Sequence, residues 1–290
     1  MIKWALTHAV LVIIALAAMG AFVWSEVWNG VPQSMASLHF LDVGQGDSEL
    51  LLLPGNVAML TDAGPDKTVV RSIARVLPAA RHYIDIGIVS HPQLDHYGGF
   101  RELLAHYRFG AIITNGREAT SAQGEWRALL DGLRAEHIPI LTLRGGDRIR
   151  YGESVIRFLG PNSMLVKSKE LNDTGFVERI ETPQFSALLT ADIGTNVEQL
   201  LINENAPLAA DILKVGHHGS KYSSGNAFLA RVRPLLAAVE VGARNTYHHP
   251  TKEVLARLAS STARAILRTD EQGTISIIPN GTKLRVLVEK

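Results

Sequence analysis

The residues best suited to do chemistry in this chain sit in one hexapeptide, His91-Pro92-Gln93-Leu94-Asp95-His96. Two imidazoles and a carboxylate at that spacing can close on a single cation. Imidazole together with carboxylate suits Zn²⁺ or Mn²⁺. The hexapeptide follows an apolar run, residues 86–90, and precedes Gly98-Gly99. Two further polar clusters, Thr190-Ala191-Asp192 and Gly216-His217-His218-Gly219-Ser220, also follow β-like runs. A polar loop with solvated histidines would account for the hexapeptide alone, but less well for all three clusters together. The chain has no cysteine, so disulfides and thiolate sites are excluded and any metal must be held by His, Asp, Glu or Asn.

Loops of this kind converge when they leave packed strands, and the chain supplies strands in number. β-like runs occupy residues 38–43, 49–53, 57–61, 86–90, 111–114, 138–143, 155–159, 185–190, 211–215, 237–241, 265–268, 274–278 and 284–288. Helical patterns fall at 67–77, 100–106, 123–136, 196–203, 225–232 and 252–260. Early strands are joined by short Gly-containing turns and later ones alternate with helices. That mixture implies sheets with helices on their outer faces. The 290 residues carry a net charge of +1, with both signs spread along the chain. This gives no support for a long basic groove and leaves room for a local basic patch. Residues 37–290 show no composition break and are read as one domain, preceded by a terminal segment and linker over 1–36.

Residues 4–24 contain no Asp, Glu, Lys or Arg, and Thr7 and His8 are their clearly polar side chains. About 20 such residues suffice to cross a bilayer. Trp4, Trp24 and Trp28 fall where amphipathic rings meet an interface, and Lys3 precedes the run whereas the next Lys or Arg is Lys67. An uncleaved anchor would leave the amino terminus in the cytoplasm and the domain on the extracytoplasmic side. A signal peptide ending at Ala17 or Ala36 is the competing reading and would release the domain.

Taken as a set, the loops resemble the metallo-β-lactamase superfamily and, within it, the ComEC-type branch, the hydrolase-like domain of DNA-uptake competence proteins. The resemblance is carried in order by residues 40–47 (FLDVGQGD), 61–64 (TDAG), 90–99 (SHPQLDHYGG), 189–192 (LTAD), 213–220 (LKVGHHGS), 245–250 (NTYHHP) and 268–270 (RTD). It implies an α/β fold, a four-layer αββα sandwich preceded by the apolar N-terminal helix, with a metal site at one edge of the sheets. It implies His91 as a ligand of a first metal, Asp95 and His96 as ligands of a second, Asp192 as the bridging carboxylate and His217 as the last histidine ligand. His218 then sits beside the metal or faces substrate. Asp62 is implied as the outer carboxylate that orients a metal-bound imidazole. The metal would acidify a bound water, with Asp95 and Asp192 at the catalytic centre, and phosphodiester hydrolysis is the expected reaction. Nucleic acid is the expected partner. A separate channel protein is another, because nothing in the chain resembles the family's multi-span channel region. Lys214, Lys221, Arg244 and Arg268 lie near the motif loops and either contact phosphates or are solvated surface charges. Asn245, His248 and His249 lie in a loop that the family places at the site mouth, where His249, or else His248, could protonate the leaving oxygen.

The departures from the family pattern bear on mechanism. Gln93 stands where the branch has Asp and the wider superfamily has His. A neutral amide is a weak ligand, so one tight ion, Zn²⁺ or Mn²⁺, is expected at the second position and a weakly held one at the first. Ala191 replaces the glycine before the bridging aspartate, and His248 replaces another, leaving His249 before Pro250 as the motif match. Asn172-Asp173-Thr174-Gly175 matches the family's asparagine-rich block loosely. Three functions stay open: a metal-dependent phosphodiesterase or nuclease, a hydrolase of another ester or amide such as a lactone or β-lactam, and a non-catalytic binding domain. His82, His106 and His137 match no motif and are read as surface residues. Asp42 and Asp47 are read as braces of a Gly-rich turn.

Overall fold

The computed structural model describes residues 2–29, 34–117 and 124–290, with side chains in the first stretch described at positions 8 and 10–24. A strand alternates its side chains between two faces, and the apolar residues divide accordingly. Leu51, Leu53 and Met59 point into a core shared with Ile156, Phe158, Ile180, Ala187 and Ile212 of a second sheet. Their neighbours Leu50, Leu52, Ala58 and Leu60 pack against helical Val69, Ile73, Phe100, Leu129 and Leu133. Across the second sheet, Leu188, Leu213 and Ala237 pack against helical Val197, Leu201, Phe228, Leu229, Val254 and Leu258. Three apolar layers therefore separate helix, sheet, sheet and helix.

The first sheet orders its strands Lys283–Val288, Ile275–Asn280, Ser37–Phe40, Glu49–Leu53, Val57–Thr61, Tyr83–Val89, Arg108–Thr114 and Ile140–Thr142. The second orders them Ala265–Arg268, Leu236–Val239, Ile212–Lys214, Ser186–Leu189, Val177–Glu181, Ser154–Gly160 and Arg148–Tyr151. Arg148–Tyr151 and Val177–Glu181 fall outside the runs read from the sequence. Alternate Arg and Glu residues break their apolar pattern, and pairing with Ser154–Gly160 on either side supplies the order. Helix Leu94–Leu103 begins well before the periodicity at 100–106. Gly98 and Gly99 are both helical for a packing reason. A Cβ at Gly98 would lie 2.2 Å from the Pro65 carbonyl oxygen, and one at Gly99 2.0 Å from that of Ala63. Only glycine lets the helix lie this close, and the hexapeptide thereby runs into a helix.

Ile2–Asn29 forms one helix of 28 residues, and its side chains from Val10 to Trp24 are exposed. Among the described residues no helix is long and apolar enough to cross a membrane. Lys3, Trp4 and Trp28, on which the anchor expectation partly rests, have side chains outside the described residues.

Candidate metal centre

Parallel strands deliver their C-terminal loops to one edge of a sheet. Val57–Thr61 runs parallel to Tyr83–Val89, and Ser186–Leu189, Ile212–Lys214 and Leu236–Val239 are parallel in turn. The loops at those five ends carry Asp62, His91, Asp192, His217-His218 and Glu240. The first turn of helix Leu94–Leu103 adds Asp95 and His96.

Asp95, His96, Asp192 and His218 come together, with donor atoms within 4.8 Å of one another. His96 Nε2 lies 3.4 Å from Asp192 Oδ2, and His218 Nε2 lies 3.4 Å from that oxygen and from Asp95 Oδ2. The second ring nitrogen of each histidine is committed elsewhere. His96 Nδ1 donates to Asp62 Oδ2 at 2.7 Å, and His218 Nδ1 donates to the Glu240 carbonyl at 2.9 Å. That fixes each tautomer with an Nε2 lone pair facing Asp192. His96 Nε2, His218 Nε2 and both Asp192 carboxylate oxygens are buried without a hydrogen-bond partner among the described residues. Two imidazole nitrogens and the Asp192 carboxylate, unpartnered and converging with Asp95, fit a divalent cation.

The electrostatics agree. Burial opposes charge on His96, but Asp192, Asp62 and Asp95 raise it well above the ordinary imidazole range. Burial likewise opposes charge on His218, and Asp192 and Asp47 override it. Asp95 and Asp192 are held below the carboxylate range by those histidines in spite of burial. A proton on Nε2 and a cation therefore compete for the same place.

The other expected site residues are distributed around this centre. His217 is turned outward, its Nε2 3.9 Å from Asp192 Oδ2 and its side chain 32% exposed. His217, expected as the ligand, thus stands at the mouth, and His218 takes the place beside the centre that is one of its two expected positions. Both residues are left-handed, with φ of 49° and 52°, and that tight turn sends the second ring inward and the first toward solvent. Lys214, expected near phosphates, is fully buried. Its ammonium pairs with Asp47, donates to the Ala191 carbonyl at 2.8 Å and lies 3.8 Å from Asp192 Oδ1. It has no route to a ligand in the cleft. Asn245, expected to touch substrate, spends its amide on its own loop, donating to Gly242 and His249 carbonyls and accepting from the His249 amide. His248 is exposed and lines no part of the cleft described next. His82, His106 and His137 lie on the surface.

An open cleft of about 580 Å³ lies over the centre, with Asp95, Asp192 and His218 on its lining beside His217, His249 and Asn172. Asn172 Nδ2 is 3.3 Å from His217 Nε2, and the His217 and His249 rings are 5.8 Å apart. Burial, and then the neighbouring histidines, lower His249 to about 4. Sequence reasoning did not single out Glu49 and Glu240. Both are buried behind the centre beside Asp47, and burial, ahead of neighbouring acids, pushes Glu240 up to about 8 and Glu49 well up as well. Their one signal is an acid inside an apolar run. Asp47, read as a turn brace, is buried and reaches His218 Nδ1 at 3.2 Å.

No protein-family model matches the chain. It is 29% identical over 259 residues to ComE operon protein 3 of Bacillus subtilis, across 83% of this chain and 33% of that protein. It is 30% identical over 253 residues to Competence protein ComA of Neisseria gonorrhoeae, across 85% of this chain and 33% of that protein. In structure it is similar to the metallo-β-lactamase fold protein YhfI of Bacillus subtilis, with a TM-score of 0.56 and 11% identity over 83% of this chain and 99% of that one. The chain is a ComEC-type domain with the metallo-β-lactamase fold. It spans about a third of the length of the curated relatives it matches.

Within this ComEC-type domain, the first metal position is where the chain differs. His91 is buried against His96, ring centroids 4.1 Å apart, and is absent from the converging group. Its Nε2 is 3.0 Å from Gln93 Oε1 and its Nδ1 3.0 Å from Ser90 Oγ. Burial, and then the His96 charge, lower it to about 3, so the ring is neutral. Asp62 stands behind this pair of histidines, accepting from the Ser90 amide and hydroxyl as well as from His96.

Proposed function

We propose that this domain is a phosphodiester hydrolase built on one divalent cation, Zn²⁺ or Mn²⁺, held by Asp95, His96, Asp192 and His218. The observation that carries the reading is the convergence of these four residues beneath an open cleft, with His96 Nε2, His218 Nε2 and both Asp192 oxygens unpartnered among the described residues. When bound, the cation would supply an acidified water and Lewis acidity toward a phosphoryl oxygen. Asp62 and the Glu240 carbonyl hold the two imidazoles in the tautomer that ligation requires. His217 and Asn172 at the mouth are placed to donate to a bound phosphate. His249 is neutral at pH 7, and an anionic substrate beside it would raise it toward the range where it can pass a proton to the leaving oxygen. Nucleic acid is the substrate class this reading favours. Similarity to a protein named for competence supports it.

A second reading, a binding domain without turnover, is favoured by the amide that Gln93 places on His91. We also propose that the exposed apolar helix before residue 37 tethers the domain on the extracytoplasmic side of a membrane; protease added to intact spheroplasts should then reach the domain, and protection until lysis would refute that orientation. The hydrolase reading is tested by wild type against Asp192→Ala on oligonucleotides with Mn²⁺ or Zn²⁺, folding checked by circular dichroism. Cleavage by wild type alone is expected. Equal rates would place the activity elsewhere, and an inert wild type would favour the binding domain.

A further inference from the structure

Helices cover the outer face of the second sheet over only part of its width. Thr195–Asn203, Asn226–Val232 and Lys252–Ser261 pack chiefly over the strands from Ser186–Leu189 to Leu236–Val239. Beyond them the face continues over Val177–Glu181, Ser154–Gly160 and Arg148–Tyr151 to the sheet edge. There arginines stand in cross-strand register: Arg148 opposite Arg157, and Arg157 opposite Arg179. Ile149, Ile156 and Ile180 alternate into the core between the sheets, so these arginines project outward. Arg150, two residues from Arg148, shares their face.

The row does not stop at Arg179. That residue lines a pocket of about 460 Å³ with Arg231 and Arg233, at the C-terminal end of helix Asn226–Val232. Arg179 also donates to the Ala209 carbonyl at 3.0 Å, which fixes its guanidinium toward the helix side. Glu181 answers part of this charge, pairing with Arg157 and Arg179. Among the described residues, the guanidinium groups of Arg148, Arg150, Arg231 and Arg233 make no hydrogen bond or ion pair. In a chain whose net charge is +1, this is a local concentration of positive charge. Like charges opposite one another on neighbouring strands repel, and an external polyanion would relieve that repulsion. Every basic group in the stripe is arginine, whose planar fork matches phosphate oxygens in pairs.

We propose that this stripe is a docking track for the phosphate backbone of a nucleic-acid strand, distinct from the cleft that holds the candidate metal centre. Its substrate class rests on the reading of that cleft as a phosphodiesterase. Arg179 pairs with Leu188, four residues before Asp192 and one before its strand ends; even fully extended, those four residues span at most about 13 Å. A strand of several nucleotides can span both, whereas a small phosphodiester can occupy only one.

The test uses the full chain in non-ionic detergent with EDTA, so that binding is read without turnover. Arg148→Gln, Arg150→Gln and Arg231→Gln are combined in one variant; all three side chains are exposed, and circular dichroism checks the fold. Affinity for a single-stranded oligonucleotide of about 30 nucleotides is measured by anisotropy across a salt series. Loss of three phosphate contacts should weaken binding about tenfold or more at low salt and flatten the slope of log K against log salt by about 2. Unchanged affinity and slope would overturn the track. With Mn²⁺ the variant should hydrolyse bis(p-nitrophenyl) phosphate at the wild-type rate and show a raised KM with unchanged kcat on the oligonucleotide. If neither protein hydrolyses either substrate, the cleft reading fails while the anisotropy result still decides the track. A variant that loses only its preference for phosphatidylglycerol over phosphatidylcholine vesicles, with oligonucleotide affinity intact, would assign the stripe to a lipid surface and reject the proposal.

Discussion

Gln93 Oε1 lies 3.0 Å from His91 Nε2, so the nitrogen with which His91 could face a cation is engaged within its own loop. An ion there would have to break that bond and would gain only a neutral amide. We therefore expect one tightly held ion per chain after dialysis, counted by plasma mass spectrometry. Gln93→Asp, which supplies an anion at the same position, should bring a second. Two equally tight ions in the wild type would show that His91 ligates despite its amide.

His218 and His217 are adjacent and chemically identical, yet the structure separates them. His218→Ala removes a donor from the floor of the cleft and should weaken metal binding by more than the roughly 10–100-fold that loss of an outer partner such as Asp62 costs. His217→Ala should leave metal affinity near wild type and slow turnover of an anionic substrate. Calorimetric titration of both variants with Zn²⁺ decides this, and the reverse order of affinities would return the ligand role to His217.

The sequence made some of this legible and left the rest to tertiary structure. Glu49–Leu53, Val57–Thr61 and Ala265–Arg268 fall where an apolar run predicts them, because their strands are apolar on both faces or nearly so. Arg148–Tyr151 could not be read, since its outward residues are arginines and its order comes from its partner strand. Within the site, residue type and order pointed to Asp62, Asp95, His96 and Asp192. They put His217 ahead of His218 as the ligand, whereas the positions of the two rings depend on two successive left-handed residues. They could not separate Lys214 from surface lysines, since its counterion, Asp47, is 167 residues away.

Ala191 holds φ at +42°, a left-handed conformation that costs a side-chain-bearing residue roughly 1–2 kcal/mol. Its carbonyl accepts from both Lys214 Nζ and the His217 amide, so the turn is held by its surroundings. Ala191→Gly should stabilise the fold by about 1 kcal/mol, read from the urea midpoint at constant m-value. A loss of stability would mean that the alanine methyl, which abuts Gly175, matters more than the backbone.

His39 gives the fold a pH dependence remote from the metal centre. It is buried on strand Ser37–Phe40 between Ser37 Oγ and Ser276 Oγ, and burial lowers it from 6.5 to about 4. Between those values the unfolded chain binds the proton and the folded chain does not. Stability from this residue is therefore complete above pH 6.5 and lost as pH falls toward 4, by about 3 kcal/mol in all. Urea unfolding across that range should show a shallower fall for His39→Gln than for wild type. Parallel curves would assign the acid sensitivity to other groups.

Lys214 and Asp47 form a wholly buried ion pair beneath the candidate centre. Removing one member strands the other charge, at a cost of about 3–5 kcal/mol, whereas replacing both by neutral groups costs much less. Lys214→Met should accordingly be strongly destabilising, because it leaves the Asp47 carboxylate buried without its counterion. Adding Asp47→Asn should recover part of the loss, a coupling that a double-mutant cycle in urea reads directly. Recovery of stability need not recover the site. The ammonium also lies 3.8 Å from Asp192 Oδ1 and ties down the Ala191 carbonyl beside it. The folded double variant should therefore still bind Zn²⁺ more weakly than wild type. Additive stability losses would show that the pair is not coupled, and wild-type metal affinity in the double variant would show that Asp192 is oriented without Lys214.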